Sequence, residues 1–136
     1  MATVQKFEDL SIWQKARIIS KKVYQLTFTP PLSGDFRLKD QMRGSSGSIM
    51  DNIAEGFDRG SRLEFVNLLG VAKGETGELK SQLYRCLDVD YITKEIFEEL
   101  YSEVDEVARM IAGFIEYLNT STIKGNKFKN RIDGKN

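Results

Sequence analysis

Three stretches of this chain repeat apolar residues at alternating intervals of three and four, and that period constrains the fold more than any other feature. The first carries Ile12, Ala16, Ile19, Val23 and Leu26. Another carries Phe65, Leu69, Ala72, Thr76, Leu79, Leu83 and Cys86, and the last carries Phe97, Leu100, Val104, Val107, Ile111, Phe114 and Leu118. Such spacing lines up one face of an α-helix, whereas a half-buried strand would alternate with period two. The flanking residues fit the same reading. Asp9 is placed to cap the first helix, and Pro30 ends it by forcing Thr29 out of helical geometry. Ser61-Arg62-Leu63-Glu64 has the Ser-x-x-Glu form of a capping box, and Thr93 opens the last helix.

Between Phe36 and Phe57 the pattern is less regular. Met42, Ser46, Ile49, Ile53 and Phe57 form a stripe, yet Gly44-Ser45-Ser46-Gly47-Ser48 is poor helix material. Each glycine costs ~1 kcal/mol relative to alanine in a helix interior. A helix here must be held by its neighbours. The breaks lie at Pro30-Pro31-Leu32-Ser33-Gly34, at Asp58-Arg59-Gly60-Ser61 and at Asp88-Val89-Asp90. Four amphipathic helices joined by short loops predict an all-α, antiparallel up-down-up-down four-helix bundle over residues 1–121. Residues 122–136 lose the period and hold five basic side chains against Asp133, so they read as a flexible basic tail.

Charge and composition exclude much. Twenty basic and twenty acidic residues cancel, so bulk charge drives no nucleic-acid binding. Histidine is absent, which removes Ser-His-Asp and Cys-His pairs, His-ligated zinc and the Glu-x-x-His motif of di-iron bundles. Cys86 is the single cysteine and falls in an apolar stripe, as a buried small hydrophobe would. No apolar run is long enough to span a membrane and no signal-peptide core is visible, so a cytoplasmic protein is expected.

The charges are unevenly placed. The first helix, read as Leu10 to Thr29, has Lys15, Arg17, Lys21 and Lys22 and no acid. The last has seven acids against Lys94 and Arg109, a net of −5. Two readings are open: solvated faces whose opposite charges help set helix order, or a local basic stripe for phosphates. Asp51, Glu55 and Asp58 share a helical face on which a hard cation could gather, but a solvated acidic face is the simpler account. Glu55 and Arg59 have the favourable order for an ion pair. Gly70, Gly74 and Gly77 lack the preceding strand and Gly-Lys-Ser/Thr ending of a phosphate loop. They are expected to let the third helix pack closely on the glycine-serine stretch of the second. Asn52, beside Ile49 and Ile53, is expected to be half-buried and to fix register within the bundle or to hold a ligand. No pair of groups is poised for acid-base or covalent chemistry.

Several clusters, in order, carry a resemblance. Lys6-Phe7-Glu8-Asp9-Leu10 and Ile12-Trp13-Gln14-Lys15-Ala16-Arg17 open the chain. Gln41-Met42-Arg43, Ser48-Ile49 and Asn52-Ile53-Ala54-Glu55-Gly56-Phe57 follow, then Glu64-Phe65, Gly74, Glu78-Leu79, Gln82-Leu83, Asp88 and Tyr91-Ile92. Over about residues 6–118 the chain resembles the four-helix-bundle proteins encoded in intervening sequences of bacterial 23S rRNA genes, many of which carry a ribosomal-protein label. Met50 stands where members usually have proline, so a milder kink is expected, and Asp51 follows it.

The resemblance implies a homopentamer of four-helix protomers with no catalytic activity. It also implies kinship with the accessory variability protein of diversity-generating retroelements, a nucleic-acid-binding pentamer that works with a reverse transcriptase. By that resemblance Phe7, Asp9, Leu10, Trp13, Arg43, Asn52, Glu55, Gly56 and Phe57 are the family-motif positions. Trp13, Ile18, Tyr24, Phe28, Tyr84 and Tyr101 lie beside or off the bundle stripes, an apolar excess that suits contacts between protomers. A cyclic assembly would repeat each basic stripe five times. The expected function is a non-enzymatic nucleic-acid-binding or ribonucleoprotein-accessory role, with Lys15, Arg17, Lys21 and Lys22 on phosphates and Arg43, Arg59 and Arg62 as secondary candidates. The expected partners are further copies of the chain and RNA or DNA; no membrane, small-molecule substrate, cofactor or metal is expected. The alternative is a protein-interaction scaffold whose acidic last helix docks a basic partner.

Overall fold

In the computed structural model, which describes residues 4–121, four helices follow one another: α1 (Ser11–Thr27), α2 (Phe36–Asp58), α3 (Arg62–Asp88) and α4 (Lys94–Thr120). No strand occurs among the described residues. The basic tail expected at 122–136 lies outside them. Helices consecutive in the chain pack side by side, and α1 also meets α4, which closes the bundle. Loops of a few residues leave no room for a parallel return, so neighbours run antiparallel.

The apolar stripes form the core much as their spacing requires. Phe65, Leu69, Ala72, Thr76, Leu79, Leu83 and Cys86 are all buried, as are Phe97, Leu100, Val104, Val107, Ile111 and Leu118, while Phe114 is half-buried. On α1, Ile12, Ala16, Ile19 and Val23 are buried and Leu26 is half-buried. The irregular segment is one unbroken helix through both glycines and through Met50, held by buried Met42, Ser46, Ile49, Ile53 and Phe57.

Some local expectations fail. Asp9 does not cap α1: Phe7–Asp9 wind into a 3-10 turn, and Leu10, extended and buried, stands at the N-cap with no side-chain cap. Burial of Leu10 and the edge-to-face contact of Phe7 with Trp13, 5.1 Å between centroids, set this entry and leave Asp9 exposed. Only half of the capping box forms. Ser61 Oγ accepts from the Glu64 N–H at 3.4 Å, but the Glu64 carboxylate turns to Arg59. Thr93 caps α4 through the Ile96 N–H at 3.2 Å. At α2 the cap is Asp35, whose Oδ1 accepts from the Leu38 N–H at 3.1 Å and whose Oδ2 accepts from Tyr91 Oη at 2.9 Å. These two hydrogen bonds, led by the Leu38 N–H, hold the Asp35 carboxyl below its ordinary range.

The glycines of α3 are also not where close packing was expected. Gly70, Gly74 and Gly77 are exposed, and a Cβ built on any of them, or on Gly44 or Gly47, meets nothing within 4 Å. The close approach of α2 to α3 is at Gly56, where a Cβ would stand 2.9 Å from Phe65 Cδ1 and 3.1 Å from Leu68 Cβ. The apolar stripes, Phe57 to Phe65 among them, already fill the seam between these helices. The glycine stripes fall on the outward arcs left over.

Candidate functional site

The first helix sorts its basic residues by face. Positions 15 and 22 are seven apart and turn toward α4. Lys15 Nζ lies 2.9 Å from Glu106, and Lys22 Nζ lies 2.6 Å from Glu103 and 3.8 Å from Glu99. The hydrogen bond to Glu103, reinforced by the two carboxylate charges, raises the Lys22 pKa despite some desolvation. On the far side of α4, Asp105 accepts from Lys80 of α3 at 2.7 Å and from Arg109 at 3.0 Å, and these bonds hold its carboxyl below its ordinary range. The opposite charges of the first and last helices thus face one another across a seam. Lys15 and Lys22, expected on phosphates, are already engaged.

Positions 17, 21, 24 and 28 step by 4, 3 and 4 along a different face of α1. Arg17, Lys21, Tyr24 and Phe28 are all exposed there, Phe28 by 69%. Arg17 lies over the Trp13 ring, 5.6 Å from its centroid. From α2, Arg43 reaches between Tyr24 and Phe28, its guanidinium carbon 4.6 Å and 4.8 Å from their ring centroids. Its Nε donates to Thr27 Oγ1 at 2.8 Å, and that buried hydroxyl donates to the Tyr24 carbonyl at 2.7 Å. The hydrogen bond and the two rings fix a planar cation at the bundle surface. Phe36, 70% exposed, carries Lys39 over its ring at 4.7 Å. Tyr24, Phe28, Phe36 and Lys39 were not among the expected site residues. The cue was present: aromatics stand on both sides of the Pro-Pro loop, next to basic residues and outside every apolar stripe.

The other candidates have different surroundings. Arg59 is paired with Glu55 one turn earlier and with Glu64 at 2.9 Å, which raises its pKa and ties the end of α2 to the start of α3. Arg62 opens α3, half-buried. Asn52 bonds within its own helix and not across the bundle: its amide donates to the Ser48 carbonyl at 2.8 Å and to Ser48 Oγ at 2.9 Å. Asp51 and Asp58 are exposed, and Glu55 is taken by Arg59. Phe57 packs edge-to-face on Phe65 with centroids 5.8 Å apart. Glu55, Gly56 and Phe57 therefore build the α2–α3 turn, while Asn52 stays within α2. Cys86 is buried with Sγ 3.5 Å from Met42 Sδ, and burial pushes its thiol up to about 11, as a core residue and not a nucleophile requires.

With this geometry in place, the profile of the 23S rRNA-intervening sequence proteins matches residues 8–113. The chain belongs to that family. The match spans the N-terminal turn and nearly all of the bundle. A solved structure of similar fold is a protein of unknown function from the S23 ribosomal protein family of Bacteroides thetaiotaomicron. It superimposes with a TM-score of 0.72 at 24% identity, over 77% of this chain and 95% of that one. No curated protein matches. Among the described residues of this 23S rRNA-intervening sequence protein, no helix is long and apolar enough to cross a membrane.

Proposed function

We propose that this protein is a non-enzymatic nucleic-acid-binding component of a ribonucleoprotein, assembled as a homopentamer. The observation that carries this reading is the exposed stripe of Arg17, Lys21, Tyr24 and Phe28 with Arg43 set between its rings. Unpaired cations meet phosphates, and exposed aromatic faces stack on unpaired bases, so the combination suits single-stranded RNA or DNA better than a duplex. Lys15, Lys22 and Arg59 leave the contact set because carboxylates already hold them. The scaffold alternative is weakened on the same ground, since Glu99, Glu103, Asp105 and Glu106 of α4 face bases of the chain itself.

The proposed pentamer draws support from apolar side chains the bundle leaves uncovered. Of the six side chains expected at protomer contacts, Ile18 and Tyr84 are each 49% exposed and suit that role, Trp13 and Tyr101 pack partly against the core, and the exposed Tyr24 and Phe28 are assigned to the stripe instead. A ring would repeat the stripe fivefold and multiply weak phosphate contacts.

Fluorescence anisotropy with a labelled single-stranded RNA, read at several salt concentrations, tests the reading. Replacing Arg17 and Lys21 together with alanine should flatten the slope of log K against log salt by about 1.4, at ~0.7 per phosphate on a single strand. Lys15→Ala and Lys22→Ala should leave the slope unchanged. Absence of binding at low salt, or equal loss from both pairs, overturns the reading. Light scattering should give five times the 15.5 kDa chain mass.

A further inference from the structure

Arg43 carries a guanidinium fixed at one end and free at the other. Its Nε donates to Thr27 Oγ1 at 2.8 Å, and that hydroxyl gives its own proton to the Tyr24 carbonyl at 2.7 Å, so toward the arginine it can only accept. Thr27 is fully buried, which turns the Nε edge inward. The rings of Tyr24 and Phe28, 4.6 Å and 4.8 Å from the guanidinium carbon, hold its plane. Neither Nη bonds to a described residue, and Gln82 Oε1 is the one buried side-chain polar atom left without a partner among the described residues. Both Nη groups therefore reach solvent with their donors uncommitted. The same face continues along α2, where Lys39 stands one turn before Arg43 and Phe36 two turns before it, Lys39 Nζ also donating to the Ser33 carbonyl at 3.3 Å. Phe28 and Phe36, on either side of the Pro30-Pro31 loop, are 69% and 70% exposed, more than any other large apolar side chain described. No carboxylate answers these cations. Asp35 is taken by the Leu38 N–H and Tyr91, and Asp40, exposed beside Lys39, forms no ion pair with a described residue. A bridge between two helices needs only the Nε bond and does not account for two bare phenylalanines beside it.

We infer that Arg43 seats one backbone phosphate of a single strand on its Nη fork, with the two adjoining bases stacked on Phe28 and Phe36. This rests on the nucleic-acid reading above and goes further by assigning the phosphate and its neighbouring bases to particular side chains. A planar guanidinium offers parallel N–H donors to two oxygens of one phosphate. Because Thr27 and the two rings hold the fork before the ligand arrives, little rotamer freedom is lost on binding. Each base beside that phosphate needs an uncovered aromatic face, and Phe28 and Phe36 are the barest rings at this end of the bundle. Lys39, and Lys21 one turn before Tyr24, meet the neighbouring phosphates as flexible point charges. The ligand is then an unpaired strand, since paired and stacked bases have no free face to lay on a ring.

Fluorescence anisotropy of the full chain compares a labelled oligouridine with an abasic strand of the same length and charge. Arg43→Lys keeps the charge but loses the fork, so both strands should bind at least about fivefold more weakly with an unchanged salt slope. Thr27→Val alters no surface group and should weaken both strands in the same way. Phe28→Leu and Phe36→Leu should each weaken oligouridine by about fivefold or more, the worth of one base stacked on an aromatic, and leave the abasic strand unchanged. Circular dichroism checks each variant for native helicity; if Arg43→Lys or Thr27→Val unfolds, the two exposed phenylalanines decide. Parental binding by a folded Arg43→Lys, or phenylalanine variants that weaken both strands alike or neither, overturns the assignment. If Arg17→Ala with Lys21→Ala still flattens the salt slope in that case, the nucleic-acid reading stands without this seat. If the parent binds neither strand at low salt, both fall.

Discussion

Replacing Gly56 with alanine pits two known effects against each other, and the structure decides the sign. Alanine gains ~1 kcal/mol over glycine in a helix interior. At Gly56, however, the new methyl would stand 2.9 Å from Phe65 Cδ1 and 3.1 Å from Leu68 Cβ. Relief requires a shift of about half an ångström or more, and neither neighbour can give it cheaply. The Phe65 ring is fully buried and braced edge-on by Phe57 at 5.8 Å and Phe114 at 5.5 Å. Leu68 Cβ moves only with its backbone, so α3 itself must retreat from α2. Overpacking of this kind costs about 1–3 kcal/mol, which leaves a net loss of roughly 1 kcal/mol after the propensity gain. Gly74→Ala is the internal control: nothing lies within 4 Å of its Cβ position, so propensity alone acts and stability should rise by up to ~1 kcal/mol. Urea denaturation of both variants at equal protein concentration reads the difference as shifts of the midpoint in opposite directions. If Gly56→Ala is as stable as the parent or more so, the close approach is not a constraint. If Gly74→Ala is less stable, its face is covered and not open.

Two further outcomes follow from the charge arrangement. Lys22→Glu should lower stability and Glu103→Lys should recover much of the loss in the double variant, with a coupling of about 0.5–1 kcal/mol for a pair that is partly exposed; simple additivity in a double-mutant cycle refutes the seam as drawn. In acid, two carboxyls should behave oppositely. Asp35 titrates below its ordinary value in the fold, so its stabilisation is present at neutral pH and is lost as pH falls through that lowered value. Glu75 titrates above its ordinary value, so the fold loses stability as pH rises from that ordinary value through the raised one. Urea midpoints against pH for Asp35→Asn and Glu75→Gln should therefore lose opposite slopes, and a shared sign would contradict the assignments.

Much of the bundle was legible because burial and period are coupled: a residue on a 3-4 stripe of a four-helix chain has only one place to go, and the α3 stripe from Phe65 to Cys86 is buried throughout. What the period cannot carry is the neighbour. The acid-free first helix could be read as a phosphate stripe because its counter-charges, Glu103 and Glu106, lie more than eighty positions along the chain. Only the folded seam shows that Lys15 and Lys22 are spoken for while Arg17 and Lys21 are not. The glycines were misassigned for a related reason. Smallness permits close packing but does not require it, and the apolar stripes already filled the α2–α3 seam. Asp9 lost its capping role to burial of Leu10, a tertiary effect stronger than a local preference. The burial of Gln82 was not legible, since a glutamine beside core Leu83 and three positions from core Leu79 can point either way until the helix is packed.

The pairing of the first helix with the last has a consequence for how the chain is made. The partners of Lys15 and Lys22 are among the last helical residues to be synthesised, 81 positions after Lys22 in the case of Glu103. Until they arrive, a nascent three-helix intermediate displays every cation of α1 without an opposing charge, and closing so distant a contact is the entropically slow step. Completion of α4 therefore changes the electrostatic character of the N-terminal helix, turning a uniformly cationic surface into one with a neutralised side and a bare one.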